Sequence, residues 1–93
     1  MEYLHKIHDG FYSYFNRASN MLFTIKRDEA GVLCRGRCWY FHVTYNGQKH
    51  HIGNFVLVND RAGLVKEGIG AKLWTDEAAL READIMIGRI LEC

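Results

Sequence analysis

The fold is decided in residues 39–52, which read WYFHVTYNGQKHHI. The dipeptide Asn46-Gly47 stands at the centre of this stretch, between two runs rich in aromatic and β-branched residues. Such runs are typical of strands, and Asn-Gly supplies the two positive-φ positions that a type I′ turn requires. The stretch therefore predicts a β-hairpin of residues 39–45 and 48–58, joined by a two-residue turn.

A two-residue turn also sets the register of this hairpin. The predicted pairs are Thr44 with Lys49, Val43 with His50, His42 with His51, Phe41 with Ile52, and Tyr40 with Gly53. One face then carries mainly apolar side chains, namely Trp39, Phe41, Val43 and Ile52, with His50 among them. The opposite face is basic and aromatic, with Tyr40, His42, Thr44, Lys49 and His51. We predict that the apolar face packs on the core and that the second face meets solvent.

A second dipeptide of this kind, Asp9-Gly10, predicts another type I′ turn nearer the start of the chain. The hairpin around it would have residues 3–8 and 11–16 as its strands. A helix over the same residues is the alternative, because apolar side chains recur there at helical spacing. Gly10 would weaken that helix by about 1 kcal/mol, and the aromatic residues that follow it favour a pleated surface. We therefore predict strands here, and a third strand from Met21 to Arg27.

The last part of the chain carries the signals of a helix. Thr75 suits an N-cap, and the acids Asp76 and Glu77 suit the positive end of a helix dipole. An apolar stripe follows at helical spacing, formed by Ala79, Leu80, Ala83, Ile87, Ile90 and Leu91. These signals predict a helix from about residue 76 to 91, preceded by a glycine-rich loop over 59–72.

Together these elements predict the fold class. We expect residues 1–93 to form a single α+β domain. Its antiparallel, mostly meandering sheet would have three to five strands, with the C-terminal helix packed on one face.

The composition limits the class of protein. Ninety-three residues, 48% hydrophobic and 25% charged, are typical of one folded domain rather than a disordered chain. No apolar window is long enough to predict a membrane span, and the N-terminal residues do not resemble a signal peptide. Three cysteines are an odd number, which favours reduced thiols over a disulfide framework and predicts a cytoplasmic location.

Charge is distributed unevenly, although the net charge is only +1. Residues 26–51 carry five Lys or Arg against two acids, whereas residues 60–93 carry five against seven acids. The basic segment contains the predicted hairpin, and its bases, hydroxyls and aromatic rings form the candidate binding site. The site residues are Arg35, Arg37, Tyr40, His42, Thr44, Lys49 and His51. Such a surface suits a protein partner or, through its cations and rings, nucleic acid.

Metal binding and catalysis are weaker hypotheses. Cys34 and Cys38 lie near histidines, but in an extended strand their sulfurs would be about 13 Å apart, too far to share one zinc ion. Only a sharp turn at Gly36 would bring them together. No nucleophile elbow, phosphate-binding glycine loop or HExxH pattern is present. We therefore predict no metal, no cofactor and no enzymatic activity, with a small zinc- or cysteine-dependent enzyme as the last alternative.

The predicted order of strands and helix is similar, in architecture alone, to the small arm-type DNA-binding domains of phage integrases. The chain departs from them in the long segment between Phe55 and Thr75 and in its acidic helix. A single domain without a catalytic motif also resembles the accessory proteins of phages and mobile elements, many of which inhibit host machinery by binding it. We expect a binding protein that occupies or inhibits a protein partner, such as a nucleic-acid-handling complex. The alternative is a direct DNA- or RNA-binding module that uses residues 35–51. The residues leave open whether the chain is a monomer or a homodimer.

Overall fold

The computed structural model describes residues 1–28, 37–57 and 73–92. Its strands are β1 (His5–His8), β2 (Phe11–Asn16), β3 (Met21–Asp28), β4 (Cys38–Tyr45) and β5 (Gln48–Val56), followed by the helix α1 (Asp76–Glu92). The strands form one antiparallel sheet in the order β1-β2-β3-β4-β5. The α+β meander is therefore confirmed, and residues 5–16 form strands rather than the alternative helix. The loop predicted over 59–72 lies outside the described residues.

The two turn signals give different turns. Asn46 and Gly47 both have positive φ, at 51° and 74°, so the predicted type I′ turn is confirmed. At Asp9-Gly10 only Gly10 has positive φ, at 81°, so the prediction of a second type I′ turn is wrong. The strands beside it also change register between Lys6 and His8, as strands do at a β-bulge.

The register of β4 and β5 agrees with the prediction near the turn and departs from it further along. Thr44 pairs with Lys49, Val43 with His50 and His42 with His51, as predicted. A register shift then intervenes, so that Phe41 pairs with Gly53 and Tyr40 with Asn54. The predicted partners of Phe41 and Tyr40 are each wrong by one residue, because a bulge adds one residue to β5. The same shift brings Phe55 opposite Trp39 on the core side.

The core lies between one face of the sheet and α1. Its buried side chains from the strands are Phe23, Ile25, Trp39, Phe41 and Phe55, and those from the helix are Ala79, Leu80, Ala83 and Ile87. Thr75 caps the helix as predicted, because its hydroxyl oxygen accepts the N–H of Ala78 at 3.2 Å. Trp74 packs edge-on against Phe55 with 5.0 Å between ring centres, and this contact holds the start of the helix to the sheet.

Asp84 is the one charged side chain buried among the described residues, at 7% exposure. Its carboxylate accepts three backbone N–H groups, from Glu2 at 3.0 Å, Tyr3 at 3.0 Å and Leu4 at 2.8 Å. The segment before β1 is therefore attached to the middle of the helix. This contact spans some 80 positions in sequence, and no local pattern predicts it.

A second polar cluster lies at the start of α1. The indole N–H of Trp39 donates to Asp76 Oδ1 at 2.7 Å, and Arg27 Nη1 lies 3.9 Å from the same oxygen. The Arg27 guanidinium stands over the Trp39 ring at 5.3 Å and also pairs with Asp9 at 3.0 Å. Arg27 therefore interacts with groups on the helix side of the sheet, where it connects the Asp9-Gly10 turn to the start of the helix.

Cys38 differs from the reduced state that the cysteine count predicted. It is completely buried at the start of β4 and is disulfide-bonded. The other two cysteines of the chain, Cys34 and Cys93, lie outside the described residues. In the described ranges, no helix is long and apolar enough to cross a membrane.

Candidate binding surface on the open sheet face

The helix covers only one side of the sheet, and none of the described elements packs on the other, which we call the open face. Strand register places its side chains in rows that run across the strands. The middle row consists of His5, Ser13, Thr24, His42 and His51. One flanking row consists of His8, Phe11, Lys26, Tyr40 and Asn54, and the other of Phe15, Leu22, Thr44 and Lys49. Four of the five histidines in the chain therefore share this face.

The structure gathers most of the predicted site residues on the open face. His42, Thr44, Lys49 and His51 occupy neighbouring positions there, and Lys49 and His51 are exposed. Arg37 is exposed but lies apart, where its carbonyl oxygen accepts the N–H of Leu57 at 3.0 Å. Arg35 lies outside the described residues.

Tyr40 lies on the predicted face, but the prediction that it is exposed to solvent is wrong. Its exposure is only 9%, and its hydroxyl is buried without a hydrogen-bond partner. Burial raises the pKa of Tyr40, and the nearby charge of Asp28 raises it further. A buried hydroxyl without an acceptor is uncommon in folded proteins, because leaving it unpaired costs about 1–3 kcal/mol.

A pocket of about 450 Å³ opens on this face. Its walls are formed by Phe11, Thr24, Lys26, Tyr40, His42 and Lys49, together with Arg27 and Asp28 of β3. Phe11 and Lys26 were not among the site residues predicted from the sequence. The alternation of Lys26 with the apolar Ile25 in β3 indicates that Lys26 lies on the face opposite the core. Which side chains of β4 lie beside it depends on how β3 pairs with β4.

An exposed apolar pair lies in the row next to the histidines. Phe15 and Leu22 are direct partners on β2 and β3, and their exposures are 49% and 36%. The same row continues through Thr44 to Lys49. The open face thus combines a small apolar contact area with cationic and hydrogen-bonding side chains.

His42 and His51 form the cross-strand pair that the turn predicted. His51 Nδ1 lies 3.4 Å from His42 Nε2, and the ring centres are 5.0 Å apart. Burial lowers the pKa of His42 from its usual range, and the charges of Lys49 and His51 lower it further. Folding therefore favours the neutral form of His42 relative to the unfolded chain.

This lowered pKa predicts that the domain loses stability as the pH falls from 7.5 to 5. Unfolded His42 titrates at its ordinary pKa of about 6.5, so the unfolded chain binds its proton first and is favoured in acid. Urea unfolding at each pH measures the effect. His42→Gln should flatten the pH dependence, whereas His50→Gln, on the opposite face, should leave it unchanged. Equal slopes for the wild type and His42→Gln would contradict this prediction.

The described residues contain no group of three or more His, Cys, Asp or Glu side chains arranged to hold a metal ion. Cys38, one of the two cysteines considered as zinc ligands, is disulfide-bonded, and a sulfur in a disulfide is not the thiolate that zinc binds. Cys34 lies outside the described residues. The chemistry offered by the described part of this face is thus hydrogen bonding, charge and ring stacking.

Comparison of the chain with protein-family models, with curated proteins and with solved structures found no match.

Proposed function

We propose that this chain is a non-enzymatic binding protein that occupies a protein partner through the open face. The observation that carries the proposal is the exposed pair Phe15 and Leu22, set in one row with Lys49. Aromatic side chains surrounded by polar groups are typical of the centres of protein interfaces. The matching partner surface is an apolar patch with acidic side chains at its edge.

The balance of charge favours a protein over a polyanion. Among the described residues of the open face, the charged side chains are Lys26, Lys49 and Asp28. Proteins that bind nucleic acid through phosphate contacts usually present a strongly basic surface. Two lysines and one aspartate provide only a weak positive field, so apolar contact has to supply much of the binding energy.

Direct nucleic-acid binding is the second candidate, and one observation favours it. His42, Thr44, Lys49 and His51 lie together on an uncovered sheet face, as the sequence predicted, and Phe15 adds an exposed ring on which a base can stack. The two candidates differ in salt dependence, because releasing counterions from nucleic acid makes binding fall steeply with salt.

The test uses matched variants of exposed residues. Phe15→Ala and Leu22→Thr remove the apolar pair, and Tyr45→Ala removes a side chain of similar exposure, 40%, elsewhere on the hairpin. A protein retained from lysate by the wild-type chain is purified, and its dissociation constant is measured by titration. We expect each open-face variant to weaken binding about tenfold and Tyr45→Ala to leave it unchanged.

Two outcomes would contradict the protein-partner proposal. One is a partner whose affinity is insensitive to both open-face variants. The other is binding of oligonucleotides that weakens tenfold or more between about 50 and 200 mM salt, since that would establish several phosphate contacts and favour the second candidate.

The odd number of cysteines predicted a cytoplasmic location for this binding protein. The disulfide at Cys38 argues against it, because reducing compartments keep most thiols free. Cys38 is not among the residues proposed to contact the partner.

A further inference from the structure

The pocket on the open face has the size and shape of a small-ligand site. Its volume of about 450 Å³ falls within the range of roughly 300–1,000 Å³ that is common for such sites. It lies between β2 and β5 over the row of Thr24 and His42. The proposed protein contact depends on Phe15 and Leu22, which do not line this pocket.

The charged groups of the pocket favour an anion. Lys26 and Lys49 line it, both are exposed, and neither makes an ion pair within the described residues. Asp28 is the one carboxylate among the described residues of the lining. The described part of the pocket therefore offers two ammonium groups without an ion pair against one acid.

The cations that line the pocket suit a phosphate group. An arginine binds a carboxylate or a phosphate through two parallel N–H groups. The Arg27 guanidinium already contacts Asp9, Asp76 and the ring of Trp39 on the other side of the sheet. Lysine acts as a point charge with three donors, which suits the several oxygens of a phosphate group.

The remaining walls of the pocket suit a planar ring with hydrogen-bonding atoms. Phe11 and Tyr40 contribute aromatic surface, and Thr24 and His42 contribute polar atoms. The Tyr40 hydroxyl, buried and without an acceptor, is the one such unpaired side-chain atom in the described part of the chain. A ligand oxygen or nitrogen that reached it would satisfy a hydrogen bond that the free protein leaves unmade.

We propose that this pocket binds a nucleotide, with its phosphate held by Lys26 and Lys49 and its base placed against Phe11 and Tyr40. The same chemistry occurs in a free nucleotide and in one unit of a single-stranded nucleic acid. The site shares Lys49 with the proposed protein contact. The protein contact is tested at Phe15 and Leu22, and the nucleotide site at Lys26 and Lys49, so either proposal can fail without the other.

The test follows backbone amide signals by NMR while ADP is added to the full chain, with adenosine and inorganic phosphate in parallel. We expect saturable shifts at Thr24 and His42 with ADP at a dissociation constant below about 1 mM, and weaker binding of each fragment. Lys26→Ala and Lys49→Ala should each weaken ADP about tenfold. Lys6→Ala is the matched control, because this exposed lysine lies in register with Tyr12 on the helix side.

An oligothymidylate titration identifies the source of the nucleotide. If both probes shift the same residues and ADP binds more tightly than the oligonucleotide, the result favours a free nucleotide. If the oligonucleotide binds more tightly than ADP, the result favours a single strand. The proposal is overturned if neither probe gives saturable shifts at Thr24 and His42. It is also overturned if binding survives in the Lys26→Ala/Lys49→Ala double variant as well as it does in Lys6→Ala.

Discussion

Replacing Asp84 with alanine is expected to lower the free energy of unfolding by about 3 kcal/mol or more. The carboxylate accepts three backbone N–H groups at 2.8–3.0 Å. Its removal leaves these donors unpaired in a partly buried place, and each unsatisfied donor costs about 1–3 kcal/mol. A loss of this size is a large fraction of the 5–15 kcal/mol that is typical of whole domains.

Urea unfolding of Asp84→Ala and two comparison variants measures this effect. Asp84→Asn keeps one acceptor oxygen and should cost less than Asp84→Ala. Glu92→Ala removes an exposed acid from the same helix and should change stability by less than about 0.5 kcal/mol. Amide hydrogen exchange at Leu4 reports whether the N-terminal segment detaches before the whole domain unfolds. An Asp84→Ala protein as stable as Glu92→Ala would show that the segment contributes nothing.

Replacing Trp39 with alanine is expected to cost about 3–5 kcal/mol, because the ring is only 1% exposed and its loss leaves a large cavity. Trp39 also packs edge-on against Tyr12 with 6.0 Å between ring centres. It further donates its indole N–H to Asp76 at 2.7 Å. The side chain therefore contributes both to the apolar core and to the attachment of the helix start.

Trp39→Phe separates these two contributions. Phenylalanine fills much of the cavity but cannot donate to Asp76, so we expect a smaller loss of about 1–3 kcal/mol. Combining it with Asp76→Ala, which removes the acceptor, in a double-mutant cycle should give a coupling energy, since both changes remove one hydrogen bond. Calorimetry measures the four proteins. Additive effects would show that the indole N–H to Asp76 bond contributes no stability of its own.

The candidate binding surface was predictable only in part. The Asn46-Gly47 turn placed His42, Thr44, Lys49 and His51 on one face, because a two-residue turn determines pairing for several residues beyond it. It did not reveal that Tyr40 is buried. Alternation says which side of a strand a residue occupies, whereas burial depends on what else packs there.

The rest of the surface could not be predicted from the sequence, because it depends on the pairing of strands that are distant in sequence. His5 and His8 join His42 and His51 only because β1, β2, β3 and β4 pair in sequence order with a particular register. Lys26 joins the pocket for the same reason. The bulge that β5 forms opposite Phe41 and His42 was also not predicted, because the turn determines register only for the residues near it.

The sequence by itself determined the strands, the type I′ turn at Asn46-Gly47 and the Thr75-capped helix, because each depends on the conformational preferences of a few adjacent residues. Only the tertiary structure decided that Asp84 binds the N-terminal segment and that Arg27 turns away from the open face. It also decided that histidines from three strands line up beside a pocket. These features arise between residues far apart in the chain, where packing and the satisfaction of buried polar groups decide the outcome.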